Sequence, residues 1–258
     1  MKKIVFFLLS SILFILYFYN IAQAEEIKTE IKTIRFATEA SYPPFEYIDG
    51  SGVIKGFDID IANALCKEIK AECVFSNQPF SGLIPSLKVG KFDALISALG
   101  ITQERQKQVA FTQAYYEPSG SFVAPIEKHY LLSNLSGKIV GVQQATTFEK
   151  YLQQQNEYAN RITIKTYASI QEAFLDLASG RIDLVLTDTP IAKEWLKKND
   201  KQYAIVEKPI INHEYFGAGY GIAVNKDSNQ LLNSLNEALN KIKQNGIYNN
   251  IMQKYFGK

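Results

Sequence analysis

Short apolar runs alternate with amphipathic stretches along most of the chain. Thr33–Thr38 alternates between apolar and polar positions as a half-buried strand does, whereas the stretch after Gly56 repeats apolar residues at helical spacing from Ile59 to Ile69. This repeated change of period predicts an α/β fold. The other predicted strands are Phe92–Ser97, Lys138–Val142, Ile162–Tyr167 and Leu184–Thr187, and the other predicted helices are Thr147–Gln154, Ser169–Ala178, Gln230–Gln244 and Ile247–Phe256.

Two segments match each other in residue class. Leu87–Ser97 and Leu177–Thr187 both resemble a helix end, a glycine cap and a buried strand that ends in a hydroxyl residue. Each segment follows a strand that runs into a polar turn containing Ser or Thr. We infer two lobes of similar βαβ plan. Chance similarity is the alternative, because a helix, a glycine and a strand often follow one another in α/β proteins.

The first 24 residues differ from the rest of the chain. Lys2 and Lys3 precede an apolar run from Ile4 to Ile21, and residues 22–24 have the small-x-small pattern at which signal peptidase cuts. We therefore predict a cleaved signal peptide and a mature chain that begins at Glu25. A membrane anchor is the alternative, since the run is nearly long enough to span a bilayer.

Composition and charge exclude several function classes. The chain has 258 residues, 47% of them hydrophobic, and its 28 basic and 26 acidic residues leave a net charge of +2, which is too small for a typical nucleic-acid-binding surface. An oxidising compartment favours a bond between Cys66 and Cys73, with free buried thiols as the alternative. His129 and His213 lack partners at the spacing of a metal site or a catalytic triad. We therefore predict no catalytic residues, no metal and no cofactor.

Polar residues follow the predicted strands. Ligands of open parallel sheets bind beyond the carboxyl ends of the strands, so two facing lobes would bring these residues to one cleft. Such a cleft contains carboxylates, hydroxyls and exposed backbone, and it favours a cationic ligand. The residues at these ends are Glu39, Ser41, Tyr42, Ser97, Gly100, Gln143, Thr147, Thr187 and Asp188.

Four side chains allow both a binding and a purely structural interpretation. Arg105, close after the predicted N-cap Thr102, can present its guanidinium to a ligand carboxylate or lie solvated on a charged helix face. Asp188 can face the cleft or cap the helix that follows it. Tyr42 and Phe80 lie in loops next to prolines, where their rings can enclose a flat cation or pack at the edge of the core.

Five motifs along the chain are similar to those of one protein family. They are Phe36–Phe45, Gly56–Asp60, Leu83–Leu87, Ile101–Thr102 with Arg105, and Tyr215–Gly217. From Ile34 to Phe256 the chain resembles the family-3 extracellular solute-binding proteins of bacterial ABC importers, within them the arginine-binding and lysine/arginine/ornithine-binding branch. The resemblance implies a hinged, two-lobed periplasmic-binding-protein fold of type II, also called a Venus flytrap, with the ligand cleft between the lobes.

The resemblance also implies a role for each candidate residue. Arg105 matches the arginine that grips the ligand's α-carboxylate, Asp188 the aspartate that takes its α-ammonium, and Glu39 the acid that pairs with a cationic side chain. Cys66 and Cys73 match a small loop disulfide. The other implied ligand-binding residues are Ser97, Ala98, Gly100 and Thr147 around the main-chain groups, Tyr42 and Phe80 as aromatic walls, and Gln143.

The same resemblance predicts organisation and function. We expect lobe 1 to comprise residues 25–118 and 219–258 and lobe 2 residues 119–218, with crossings near Tyr115–Val123 and Phe216–Ile222. The expected function is that of a monomeric periplasmic binding protein, not an enzyme, which delivers a basic L-amino acid to the membrane permease of an ABC importer. Arginine is favoured over lysine, ornithine and histidine, although Gly100 and Gln143 depart from relatives and weaken that ranking. A cyclohexadienyl dehydratase-like enzyme on the same fold is the alternative, against which the intact α-amino clasp argues.

Overall fold

A computed structural model describes residues 31–158 and 162–257, so the predicted signal peptide lies outside the described residues. In chain order its strands are β1 (Thr33–Thr38), β2 (Ser41–Tyr42), β3 (Glu46–Ile48), β4 (Ile54–Lys55), β5 (Glu72–Asn77), β6 (Ala94–Leu95), β7 (Ala110–Phe111), β8 (Gly120–Pro125), β9 (Ile139–Gln143), β10 (Thr163–Tyr167), β11 (Leu184–Asp188), β12 (Tyr203–Ile210) and β13 (Ala223–Val224).

The α-helices of the described residues separate these strands. They are α1 (Phe57–Ile69), α2 (Leu83–Lys88), α3 (Gln103–Gln106), α4 (Thr147–Tyr158), α5 (Ile170–Ala178), α6 (Thr189–Leu196), α7 (His213–Phe216), α8 (Asn229–Gln244) and α9 (Ile247–Phe256). Short 3-10 turns occupy Phe80–Gly82 and Ile126–Lys128. None of the described helices is both long enough and apolar enough to cross a bilayer.

Two five-stranded sheets share one plan. The strand order is β5-β1-β6-β13-β7 in the first sheet and β10-β9-β11-β8-β12 in the second. In each sheet the first three strands are parallel, and the fourth runs antiparallel to both neighbours. This equivalence confirms the α/β prediction and the inference of two similar βαβ halves. Strands β2, β3 and β4 form a small antiparallel sheet of their own.

The two matching sequence segments also fold alike. Gly90 and Gly180, which follow the helix ends, adopt left-handed φ angles of 75° and 70°. Three residues later, each segment carries an aspartate that accepts a backbone N–H from the neighbouring strand, Asp93 from β1 and Asp183 from β9, at 2.8 Å in both cases. The sequence similarity therefore reflects repeated local structure.

One predicted strand is wrong in extent. The ladder at Phe92–Ser97 is limited to Ala94–Leu95. The Ile96 N–H still donates to the Ala37 carbonyl at 3.2 Å, so the backbone follows β1 a little further. At Ala98 the φ angle is 42°, and this left-handed turn ends the extended conformation.

The chain passes from the first sheet to the second between β7 and β8, and it returns between β12 and β13. The two crossing segments are hydrogen bonded to each other, with the Tyr115 N–H donating to Tyr220 and the Tyr220 N–H to Tyr116, both at 2.8 Å. These segments, residues 112–119 and 211–222, overlap the predicted crossings Tyr115–Val123 and Phe216–Ile222, the first of which extends into β8. The lobe limits 118/119 and 218/219 stay a prediction.

Helix α1 packs its apolar face on the first sheet and on α8. Phe57, Ile61 and Leu65 are fully buried there, as is Leu239 of α8. The disulfide Cys66–Cys73 joins the end of α1 to β5 and confirms the expected pairing.

Candidate ligand-binding site

The carboxyl ends of β6, β9 and β11 meet at one cavity. Gln143 and Asp188 are the last residues of β9 and β11, and Ser97 and Ala98 follow β6. The space between its lining atoms is about 320 Å³, including space that is open to solvent. Its lining residues are Tyr42, Glu46, Phe80, Ser97, Ala98, Arg105, Gln143, Thr146, Thr147, Phe148, Asp188 and Tyr220.

Asp188 is a buried carboxylate held by two phenol hydroxyls. Tyr42 donates to its Oδ2 atom at 2.7 Å, and Tyr220 donates to its Oδ1 atom. Although Asp188 occupies the N-cap position of α6, its side chain forms no capping hydrogen bond. Burial raises the pKa of Asp188 to about 7. Both partners are neutral, so the carboxylate can accept a cationic group.

Arg105 lies at the cavity, half-buried, in the short helix α3. The Thr102 Oγ1 atom accepts its N–H at 3.2 Å and caps the helix, as the sequence predicts. Its guanidinium donates to the carbonyls of Gly100 and Ala145 at 3.1 Å and lies 5.5 Å from the Phe80 ring centre. Burial lowers the pKa of Arg105 to about 10, so it is a cation at neutral pH. Among the described residues, it has no ion-pair partner.

Glu39 follows β1 and lies next to the cavity without lining it. Its carboxylate accepts the Ser41 hydroxyl and is hydrogen bonded to the Gln143 side chain. Burial raises the pKa of Glu39 to about 7, and the charge of Glu172 acts in the same direction. A cation placed close to Glu39 would favour its ionised form.

The turn after β6 presents hydroxyl and backbone groups. The Ser97 hydroxyl donates to Glu46 Oε1 at 2.8 Å and accepts the N–H of Glu39 at 3.0 Å. At Gly100, a Cβ atom would lie 2.6 Å from the Phe216 carbonyl oxygen. A residue with a side-chain oxygen does not fit at this position, which explains why the chain carries glycine there.

The structure brings eight of the ten predicted ligand-binding residues to the cavity wall, all but Glu39 and Gly100. Gly100 contributes its carbonyl to Arg105 instead. The binding roles themselves stay predictions. Within residues 31–158 and 162–257, no cluster of His, Cys, Asp or Glu is placed to hold a metal ion.

Sequence reasoning missed four lining residues. Thr146 lies in the polar turn between the predicted site residues Gln143 and Thr147, and Phe148 follows Thr147, so proximity to these residues alone indicates both. Glu46 and Tyr220 follow none of the predicted strands, and no sequence signal points to them.

Comparison with known proteins assigns this arrangement to a family. The sequence profile of the bacterial extracellular solute-binding proteins, family 3, matches residues 34–258. The chain belongs to this family. A family-3 relative from Escherichia coli K12, named putative ABC transporter arginine-binding protein 2, is 49% identical over 230 residues, which cover 89% of this chain and 93% of the relative.

Solved structures agree with the family-3 assignment. A Salmonella typhimurium periplasmic binding protein described for its high arginine specificity has a TM-score of 0.83 at 42% identity, over 87% of this chain and 99% of the other. An ancestral amino acid-binding protein, described as a precursor of cyclohexadienyl dehydratase, has a TM-score of 0.76 at 32% identity, over 87% and 95%. The fold is therefore the two-lobed fold of periplasmic binding proteins.

Proposed function

We propose that this chain is a periplasmic binding protein that captures a basic L-amino acid, arginine above lysine, ornithine and histidine, and delivers it to the membrane permease of an ABC importer. It acts as a monomer after removal of residues 1–24 and catalyses no reaction. The names of the relatives support this proposal.

The main support for this function is the position of two charged residues. Arg105 and Asp188 line the same cavity, and neither forms an ion pair with a described residue. Arg105 belongs to the lobe of the first sheet and Asp188 to that of the second. A free amino acid carries the two complementary charges, an α-carboxylate for Arg105 and an α-ammonium for Asp188. Binding between them would hold the two lobes together.

Glu39 supports the choice of a basic side chain. It is a buried acid without a cationic partner among the described residues. Its carboxylate is hydrogen bonded to the side chain of Gln143, which lines the cavity. A guanidinium or ammonium would meet its charge, while the Phe80 ring offers a flat surface to a guanidinium.

The enzyme alternative needs a general acid above a carboxylated ring. The polar groups of the cavity instead match the charges of a free amino acid, so binding explains them without a reaction. Incubation of the protein with a cyclohexadienyl substrate should therefore give no aromatic product.

A thermal-shift screen tests the proposal. The protein is purified from the periplasm and refolded from denaturant, which removes carried-over ligand, and its N-terminus is sequenced to check for Glu25. Tight binding to the folded state raises the melting temperature. We expect the largest shift with arginine, smaller shifts with lysine, ornithine and histidine, and little with citrulline, which is neutral but of similar shape.

The variant Glu39→Gln tests the origin of this preference. It should reduce the difference between arginine and citrulline, because the buried charge is lost while the shape remains. Glu72→Gln is the matched control, since Glu72 is exposed on β5 and pairs with the opposite end of β1. The absence of a shift with any amino acid would refute the proposal.

A further inference from the structure

Two buried carboxyl groups lie in contact with each other at the edge of the cavity. They belong to Glu46 in β3, which is 1% exposed, and Asp58 in α1, which is fully buried. The two carboxyl groups lie within hydrogen-bonding reach of each other, and no cation of the described residues neutralises either one. Two carboxylates in contact without a cation cannot both be ionised in a dry site.

The other oxygens of the pair have defined donors. Glu46 Oε1 accepts the Ser97 hydroxyl at 2.8 Å. Asp58 Oδ2 accepts the Ala98 N–H at 2.7 Å and the Tyr115 hydroxyl at 2.8 Å. Glu46 Oε2 and Asp58 Oδ1 are buried and have no N–H or O–H donor among the described residues. One proton between these two oxygens satisfies both, and without it two buried acceptors remain unpaired.

We propose that Glu46 and Asp58 share one buried proton and that this carboxyl pair positions Ser97 and Ala98 to bind the main-chain groups of the amino acid. The inference rests on the proposed function. The proton resides on Glu46, because Asp58 already accepts two hydrogen bonds on its other oxygen and is therefore the better-stabilised anion. Both residues are positioning residues that act through the turn after β6.

This arrangement defines what Ser97 can offer. A hydroxyl has one hydrogen, and Ser97 donates it to Glu46. Towards a ligand Ser97 is therefore an acceptor, which suits an α-ammonium and not a carboxylate. Asp58 accepts the N–H of Ala98 and so stabilises the left-handed conformation of Ala98, with φ at 42°. This conformation sets the direction of the backbone that leads from Ala98 to Arg105.

The surroundings of the pair are acidic or neutral. Glu39 and Asp188 are the neighbouring acids, and Tyr115 is the phenol in direct contact. Burial raises the pKa of Glu46 well above its usual range, whereas Glu39 and Asp188 have pKa values of about 7. With arginine bound above about pH 8, Glu39 and Asp188 are ionised, so a carboxyl proton that remains in this region belongs to the pair of Glu46 and Asp58.

Infrared spectroscopy and calorimetry test the pair. The arginine-bound protein at about pH 8.5 should show the C=O stretch of a protonated carboxyl group, shifted in heavy water, and Glu46→Gln should lack it. In calorimetry, Glu46→Leu should weaken arginine binding at least about tenfold, because Ser97 and Asp58 each lose a partner. Glu46→Gln should recover most of this loss, since its amide still donates to Asp58 and accepts from Ser97.

The outcomes separate the two proposals. Failure of the wild-type protein to bind any basic amino acid refutes the proposed function, and the proton is then sought in the spectrum of the free protein. Absence of the carboxyl band from the wild type, or its persistence in Glu46→Gln, overturns the shared proton whatever the variants bind. A Glu46→Leu protein that melts as a folded domain and binds arginine like the wild type overturns the positioning role.

Discussion

Asp188 shows how a single residue can link ligand binding to closure. It is 2% exposed, and it accepts the hydroxyls of Tyr42 in β2 and of Tyr220 in the returning segment. Neutral hydrogen-bond donors stabilise a carboxylate less than an ammonium group does. The Asp188 carboxylate is therefore stabilised most when a ligand supplies a cation. A ligand that pairs with both Arg105 and Asp188 therefore favours the closed over the open form.

Removal of the Asp188 carboxylate should weaken ligand binding severely. We expect Asp188→Ala to weaken arginine binding at least about a hundredfold, because the ligand's α-ammonium would be buried without a counter-charge. Titration calorimetry measures the effect. Asp200→Ala, a change of an exposed aspartate, is the control and should bind like the wild type. Near-wild-type affinity of the Asp188 variant would contradict the assignment.

For single residues, the sequence predicts the position of side chains that directly follow predicted strands. It does not predict the side chains that reach the cavity only through tertiary packing. Asp188 ends a strongly apolar strand, so its position at a sheet edge is predictable. Tyr220 reaches the cavity because the two crossing segments pair, with its N–H bonded to Tyr116. That pairing joins residues about a hundred positions apart, and no local pattern reports it.

Helix α3 is the element that holds Arg105. It is a single turn of four residues, too short to be stable alone. The Thr102 side chain caps it, and the Ile101 carbonyl accepts the N–H of Ala218 from the returning segment. The position of the guanidinium therefore depends on a few local bonds.

Loss of the cap should weaken binding moderately. Thr102→Val removes the acceptor for the Arg105 N–H, a change that costs about 1 kcal/mol in comparable helices, so we expect roughly a fivefold loss of arginine affinity. Thr102→Ser should restore it. Ser169→Ala, which removes a similar cap from α5, should lower the melting temperature and leave the affinity nearly unchanged. An equal loss of affinity in the Ser169 variant would argue against a specific role of α3.

Elements with a long periodic pattern are predictable, and short ones are not. Helix α9 has the predicted bounds, Ile247–Phe256, and α8 begins one residue earlier than expected. Strands β7 and β13 have two residues each, so no period can be recognised in them. They form because the returning chain places β13 between β6 and β7, where it pairs with both strands. This pairing is a tertiary effect.

Within the part of the chain that the structure describes, few polar contacts join the two lobes outside the cavity. Lys150 of α4 pairs with Glu104 of α3, and Gln171 donates to the Ser41 carbonyl at 3.3 Å. Both members of the ion pair are more than half exposed, so the pair contributes little. Closure must therefore draw most of its free energy from the ligand and from the buried groups around it.

The buried acids make the stability of the whole molecule depend on pH in a defined direction. Glu39 and Asp188 have folded pKa values of about 7, raised by burial, against about 4 in an unfolded chain. Between these values the folded state binds more protons, so the free energy of unfolding of the ligand-free protein should fall as pH rises from about 4.5 to 7.5. Each group contributes at most about 1.4 kcal/mol per pH unit.

The affinity for arginine should depend on pH in the opposite direction, because the positive charges of arginine pair with the ionised forms of both acids. We expect its affinity to rise with pH over the same range and to level off above about pH 8. Denaturant unfolding of the free protein and calorimetry with arginine, each at several pH values, measure the two effects. The double variant Glu39→Gln with Asp188→Asn should reduce the slope of the stability profile and leave the part that comes from the pair of Glu46 and Asp58, whereas Asp93, whose pKa is lowered beside Arg35, titrates below this range. A free protein whose stability rises towards pH 7.5 would show that these acids are ionised in the folded state, and that the cavity carries its negative charges before the ligand arrives.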